Sequence, residues 1–302
     1  MNKKNLNNWI DAARPRTLPL SLSGIVLGSG YAYSQGFWSW PIFILAILTT
    51  ILFQIISNFA NDLGDGLKGT DNKQRIGPER SIQAGKIEPV QMKKAIVITS
   101  IFSLISAAVL IFTGSKNLPS SVIYFYLVLA ILCVIAGITY TMGRRAYGYY
   151  GLGDVMVLLF FGGVSVLGVY PFYAKSFDNS LIFGAIGIGL LSTAVLNLNN
   201  MRDRINDAKC NKRTLAVMMG PNVSKLYHFF LIAGGIGFLT YFISATGKEL
   251  AGLGLLPSLY LIFHLRQVMQ IKDAKMYDPE LMKVALSTFL SALLFFIGIL
   301  FS

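Results

Sequence analysis

Residues 181–214 read LIFGAIGIGLLSTAVLNLNNMRDRINDAKCNKRT: positions 181–200 carry no charge, and positions 201–214 carry five basic and two acidic side chains. A helix needs about 20 apolar residues to cross the hydrocarbon core of a bilayer. The stretch therefore reads as a membrane-spanning helix that meets water just after Asn200. Its apolar part is continuous rather than alternating, which favours a helix over a barrel strand. Small residues at close spacing, here GAIGIG and again GGVSVLG at 162–168, let neighbouring helices approach closely in lipid.

The same pattern recurs along the chain. Nine apolar segments lie at about 18–34, 40–60, 95–114, 121–142, 152–174, 181–200, 226–245, 250–265 and 284–302. The eighth is the weakest, being short and containing Pro257. The expected architecture is an all-α integral membrane protein with about nine transmembrane helices, a single membrane domain over 1–302. Composition agrees: 54% of the 302 residues are hydrophobic, 13% are charged and the mean hydropathy is +0.59. A soluble domain carries roughly twice that share of charge.

Charge distribution orients the helices. Of the 26 Lys and Arg, 23 fall at the N-terminus or in the segments after spans two, four, six and eight. The other side holds Lys116, Lys175 and Lys248. Positive residues stay inside, so the N-terminus and the large polar loops are expected in the cytoplasm, with the protein in the cytoplasmic (inner) membrane. This topology accounts for most of the net charge of +12 and the pI near 9.7 without nucleic acid. The start of the chain lacks a signal-peptide core before a small-residue cleavage site. Cys133 and Cys210 lack metal-ligand spacing, and His228 and His264 stand isolated in apolar stretches.

Topology asks nothing of acidic residues, yet they gather in the same loops. Span two runs into SNFANDLGDGLKGTDNKQRIGPERSIQAGKI at 57–87, where Asn58, Asp62 and Asp65 share a helical face. Gly64, Gly66 and Gly69 predict that the helix unravels soon afterwards, leaving Asp71 beyond the reach of helical periodicity. After span six, Asn199, Asp203 and Asp207 again share a face. The repeated spacing suggests two related halves, about 1–142 and 143–302, with a site between them.

Carboxylates and Asn carbonyls are hard oxygen ligands suited to Mg²⁺, which usually takes one or two carboxylates and leaves room for water and phosphate oxygens. Lys68, Lys73, Arg75, Arg80, Lys209, Lys212 and Arg213 in the same loops can neutralise outer phosphate oxygens. Two facing clusters of this composition fit a metal-held diphosphate.

With these residues the chain resembles the UbiA superfamily of intramembrane prenyltransferases, and within it the members that prenylate 1,4-dihydroxy-2-naphthoate. The resemblance spans nearly the whole chain: ARPRTLP at 13–19, NDLGDGLKGTD at 61–71, GPERSIQAGKI at 77–87, YTMGRR at 140–145, GLGD at 151–154 and NNMRDRINDAKCNKRTLAV at 199–217. It implies nine helices around a central cavity and two aspartate-rich motifs that hold Mg²⁺ and diphosphate. Carried over, Asn58, Asp62 and Asp65 match the first motif and Asn199, Asp203 and Asp207 the second. Gly69 stands where the superfamily has a further Asp, and Asp71 is the candidate replacement. A Tyr-to-Lys pair of the superfamily becomes Tyr140 and Arg144, and Asp154 stands where Glu is expected.

The resemblance thus implies a reaction. Asp62, Asp65, Asp203 and Asp207 hold Mg²⁺ on a polyprenyl diphosphate. Lys68, Arg75, Arg80, Tyr140, Arg144, Lys209 and Lys212 bind the diphosphate. Tyr140, Phe160 and Phe161 are candidates to face the allylic cation. Arg14, Arg16, Arg144, Arg145 and Asp154 are candidates for binding the acceptor, which loses CO₂ on prenylation to give demethylmenaquinone. A prenyltransferase acting on 4-hydroxybenzoate or haem, and a membrane transporter, stay open as alternatives.

Overall fold

The computed structural model describes residues 3–116 and 118–302. An amphipathic helix, α1 (Lys3–Ala13), precedes nine helices. These are α2 (Leu18–Ser34), α3 (Trp40–Leu67), α4 (Pro89–Gly114), α5 (Ser120–Thr139), α6 (Gly153–Ala174), α7 (Leu181–Lys209), α8 (Leu215–Ala245), α9 (Leu256–Gln270) and α10 (Tyr277–Leu300). Among the described residues these nine coincide in order and number with the nine apolar segments. Seven of them are long and apolar enough to cross a membrane; α2 and α9, with 17 and 15 residues, are shorter.

The differences lie at helix ends. Helix α4 starts at Pro89, where Glu88 and Gln91 form a reciprocal capping box; the expected start at 95 followed only its apolar part. Helix α8 begins at Leu215 and is kinked at Gly220, whose φ of 75° interrupts it immediately before Pro221. Pro257 sits in the first turn of α9, where a missing N–H costs nothing. Helix α9 therefore covers 256–270 rather than 250–265.

Helix α3 passes through Gly64 and Gly66 without unravelling and stops at Leu67, with Gly69 at φ 73° just beyond. The two glycines serve close packing. A Cβ on Gly64 would lie 2.6 Å from Thr141 Oγ1, and one on Gly66 would lie 2.7 Å from Ile82 Cγ2. The loops after α3 and α5 therefore press directly on the end of α3.

Helix α7 is the central pillar: 72% of its most apolar window is buried, against 22% for α5, which faces outward. It packs on α8, α10 and the middle of α6. That middle, Leu158–Leu167, is wound as a π-helix, a form often found where a helix lines a functional site. Its residues Phe160, Phe161 and Ser165 line a cavity of about 320 Å³ enclosed by α2–α7. At the far end, Trp38 stacks on Tyr173 and packs on Trp40, Phe43 and Phe296, the kind of aromatic cluster found at a membrane interface.

Candidate active site

The polar segments after α1, α3, α5, α7 and α9 converge at one end of the bundle. Each contributes to a single cluster of charge above the cavity, and contacts between loops define it.

Asp65, in the last turn of α3, is the hub. Tyr149 donates its hydroxyl proton to Asp65 Oδ1 at 2.7 Å, and Lys212 donates to Oδ2 at 3.1 Å. Thr70 shares a 2.6 Å hydrogen bond with the same tyrosine hydroxyl. The Tyr149 carbonyl accepts the Arg213 N–H at 3.0 Å, which fastens the α7–α8 loop to the α5–α6 loop. Lys68 Nζ lies 4.0 Å from the centre of the Tyr149 ring. Burial works against charge on Lys212, but Asp65 and Asp207 outweigh it and hold the ammonium above the ordinary lysine range.

Arg75 joins the two acidic motifs. Its Nε is 2.9 Å from Asp71 Oδ1 and its Nη2 is 3.6 Å from Asp203 Oδ2. Asp203 is also held by Arg202, whose Nε and Nη2 reach its two oxygens at 3.1 and 2.6 Å. Arg202 is buried at 2% exposure and pairs further with Asn199 and with Asp278 at the start of α10. Burial pushes the Asp71 carboxyl above its ordinary range, against the pull of Arg75.

Two residues expected to share the ligand role are used differently. Asp62 accepts the backbone N–H groups of Ser81 and Ile82 on Oδ2 and Oδ1, each at 3.1 Å. It thereby folds the GPERSI segment back onto α3. Asn58 donates to the Ala13 carbonyl at 2.8 Å and to Thr17 at 3.2 Å, locking the turn between α1 and α2. The shared helical face is present, and Asp62 and Asn58 on it hold the loops that return to α3. Asn61 is the asparagine of this motif that lines the cavity, where Thr141 donates to its Oδ1 at 3.2 Å. Asn61 lies one helical turn before Asp65, whereas Tyr149 comes from a separate loop on which the periodicity of α3 says nothing.

The remaining expected residues divide into near and far. Tyr140 lines the cavity. Arg14 and Arg80 are placed beside the carboxylates, among which Asp62 and Asp71 act on both. Burial lowers Arg14 to about 10 and drives Arg80 well below the ordinary arginine value. Arg14 Nε is buried without a hydrogen-bond partner among the described residues. Arg144 and Arg145 are exposed and form no ion pair to the cluster among the described residues. Lys209 reaches Gln74 at 3.0 Å on the outer surface. Arg16 lies 3.9 Å from Asp278. Asp154 is buried below the cluster, accepting from Tyr227 at 3.3 Å.

The donor set fits a hard divalent cation. Asp71 Oδ2 and Asn206 Oδ1 are buried with no hydrogen-bond partner among the described residues. Asp207, 3% exposed, is buried beside them. Oxygen atoms withdrawn from water and left unpaired are costly unless something fills their lone pairs. Among the described residues no three His, Cys, Asp or Glu side chains form a closed metal cage. Mg²⁺ usually takes one or two carboxylates and completes its shell with water and phosphate oxygens.

The UbiA prenyltransferase family model matches residues 21–300. The chain belongs to the UbiA prenyltransferase family. Among its UbiA relatives, the 1,4-dihydroxy-2-naphthoate octaprenyltransferase of Escherichia coli (strain K12) is 40% identical over 97% of this chain and 95% of that one. The enzyme of the same description from Haemophilus influenzae is 39% identical over 99% and 98%. Among solved structures, the fold matches a UbiA homolog from Archaeoglobus fulgidus bound to GPP and Mg²⁺, with TM-score 0.65, 13% identity and coverage of 95% and 99%. The apo UbiA homolog from Aeropyrum pernix K1 matches with TM-score 0.67 and 13% identity, covering 94% and 97%. Membership of this UbiA family removes the transporter alternative.

Proposed function

We propose that this protein transfers a polyprenyl chain from polyprenyl diphosphate to 1,4-dihydroxy-2-naphthoate, with loss of CO₂, in menaquinone biosynthesis. The observation that carries the acceptor is the near-complete alignment, at about 40% identity, with relatives named for that reaction. A charged cluster over an aromatic-lined cavity supports the chemistry.

Asp65, Asp71 and Asp207, with Asn206, are the residues that would hold Mg²⁺; Asp203 is the fourth carboxylate, fixed by Arg202 and Arg75. When bound, the metal would neutralise charge developing on the departing diphosphate. Arg14, Arg80, Arg75 and Lys212 surround the same space and would stabilise that anion. Below them, Tyr140, Phe160 and Phe161 line the cavity and would exclude water from the allylic end of the donor. The acceptor ring attacks there, and its carboxylate is matched by the half-buried Arg14 rather than the exposed Arg145. The cavity holds the reactive end of the donor. The rest of the isoprenoid belongs in lipid, since each CH₂ exposed to water costs about 0.8 kcal/mol.

The distribution of Lys and Arg supports a cytoplasmic N-terminus and cytoplasmic active-site loops. Each half of the chain, about 1–142 and 143–302, supplies one acidic motif, in keeping with an ancestral duplication.

The test is a product assay in membranes with Mg²⁺, a polyprenyl diphosphate and 1,4-dihydroxy-2-naphthoate. Prenylated naphthoquinol, read as the quinone after oxidation by air, formed by the wild type and lost with EDTA or in Asp65→Ala, supports the reading. Product from 4-hydroxybenzoate or a haem acceptor but not from naphthoate overturns the acceptor.

A further inference from the structure

Lys212 occupies an unusual position for a residue that binds diphosphate. Its Nζ is 3.1 Å from Asp65 Oδ2, and both side chains are nearly buried, at 10% and 13% exposure. Asp207 is its second anionic neighbour. The ammonium thus sits among the carboxylates, where a cation would otherwise be needed. Arg75 makes the complementary link from the first loop to Asp203, but its guanidinium is also held by Asp71 and by the Pro78 carbonyl. Among the described residues Lys212 makes one side-chain hydrogen bond, to Asp65, and it has a flexible four-carbon stem. Its backbone is fixed: the N–H donates to the Asp207 carbonyl at 2.9 Å, and the next residue is tied to Tyr149. Only the side chain is free to swing.

We propose that Lys212 is a resident counter-cation that holds Asp65 when substrate is absent and yields it to Mg²⁺ when the diphosphate arrives, moving its own charge to a phosphate oxygen. This rests on the metal-diphosphate reading above and adds a consequence that reading does not require. While Lys212 neutralises Asp65, the ligand-free site competes poorly for a divalent ion. Metal and diphosphate consequently bind together. Tyr149 keeps its hydrogen bond to Oδ1, so the carboxylate stays aimed while its second oxygen changes partner.

The test measures Mn²⁺ binding by electron paramagnetic resonance on purified full-length protein, with and without inorganic pyrophosphate. Wild type should bind Mn²⁺ weakly alone and much more tightly with pyrophosphate. Lys212→Gln should bind Mn²⁺ alone roughly tenfold more tightly, the scale of one charged hydrogen bond released, and should lose most of the pyrophosphate enhancement. Lys212→Arg, which keeps the charge, should restore weak binding of Mn²⁺ alone. A role confined to folding cannot raise metal affinity. Unchanged or weaker Mn²⁺ binding by folded Lys212→Gln overturns the exchange while leaving the metal-diphosphate reading intact. Absence of Mn²⁺ binding to wild type even with pyrophosphate overturns both.

Discussion

Arg75 stands between two aspartates that belong to different halves of the chain, 2.9 Å from Asp71 and 3.6 Å from Asp203. Its side chain is 6% exposed, so removing its charge takes away the one ion pair that Asp71 makes among the described residues. Loss of one partner from a buried pair costs about 3–5 kcal/mol. Arg75→Gln should therefore lower the thermal stability of the ligand-free protein. Mg²⁺ with pyrophosphate should recover more stability in the variant than it adds to wild type, because a divalent ion supplies the missing charge. Paired melting curves in detergent check this.

Asp62 and Asp65 are three positions apart and should differ in their response to Mg²⁺. Asp62→Asn turns one acceptor into a donor facing a backbone N–H of Ser81 or Ile82, a loss of about 1–3 kcal/mol. The expected result is lower stability with an unchanged Mg²⁺ requirement in the activity that remains. Asp65→Asn also removes a nearly buried partner of Lys212 and should lower stability, but it should in addition raise the Mg²⁺ concentration for half-maximal rate by more than tenfold. Mg²⁺ titrations of transfer rate, with melting curves, separate the two.

Cys133 lines the cavity on α5. Cys133→Phe should narrow the space below the charged cluster without touching it. Transfer from long polyprenyl diphosphates should fall by about tenfold or more while transfer from geranyl diphosphate is largely kept. A donor-length series with product analysis decides, and equal loss across the series would count against the cavity as the donor site.

The Asp71 carboxyl has its pKa raised from the ordinary value of 3.8 by burial. An acid raised in this way holds its proton more tightly in the folded state than in the unfolded chain. Its contribution to stability is present below 3.8 and is lost as pH rises through the folded value. A divalent cation needs the ionised form and so reverses the slope. The stabilisation added by Mg²⁺ and pyrophosphate should grow as pH rises from about 4 towards neutrality, and Asp71→Asn should flatten that growth. Melting temperatures across this range provide the measurement.

The bundle was legible in the sequence because lipid leaves the backbone few options. Nine apolar runs and the lopsided placement of Lys and Arg sufficed for helix number and for the end at which the polar loops meet. The boundaries that moved were set by local chemistry that hydropathy does not register, such as the capping box at Glu88 and the proline in the first turn of α9. At the site, the residue types were legible and their division of labour was not. Asn58 and Asp62 share a face with Asp65, but their partners are the Ala13 carbonyl and the N–H groups of Ser81 and Ile82, contacts that depend on how loops return. Tyr149 had no signal of its own: it matters because a separate loop brings it to Asp65 and Thr70.

Arg202 has a further implication through Asp278. Membrane helices emerge from the ribosome in chain order, and α10 follows all the others. Until Asp278 arrives, Arg202 on α7 is bound for a largely buried position without one of its two carboxylate partners. A nascent chain stalled before α10 would thus present an incompletely neutralised arginine close to the bilayer. Assembly of the catalytic end is in this way a late event in biogenesis, completed when the last helix docks.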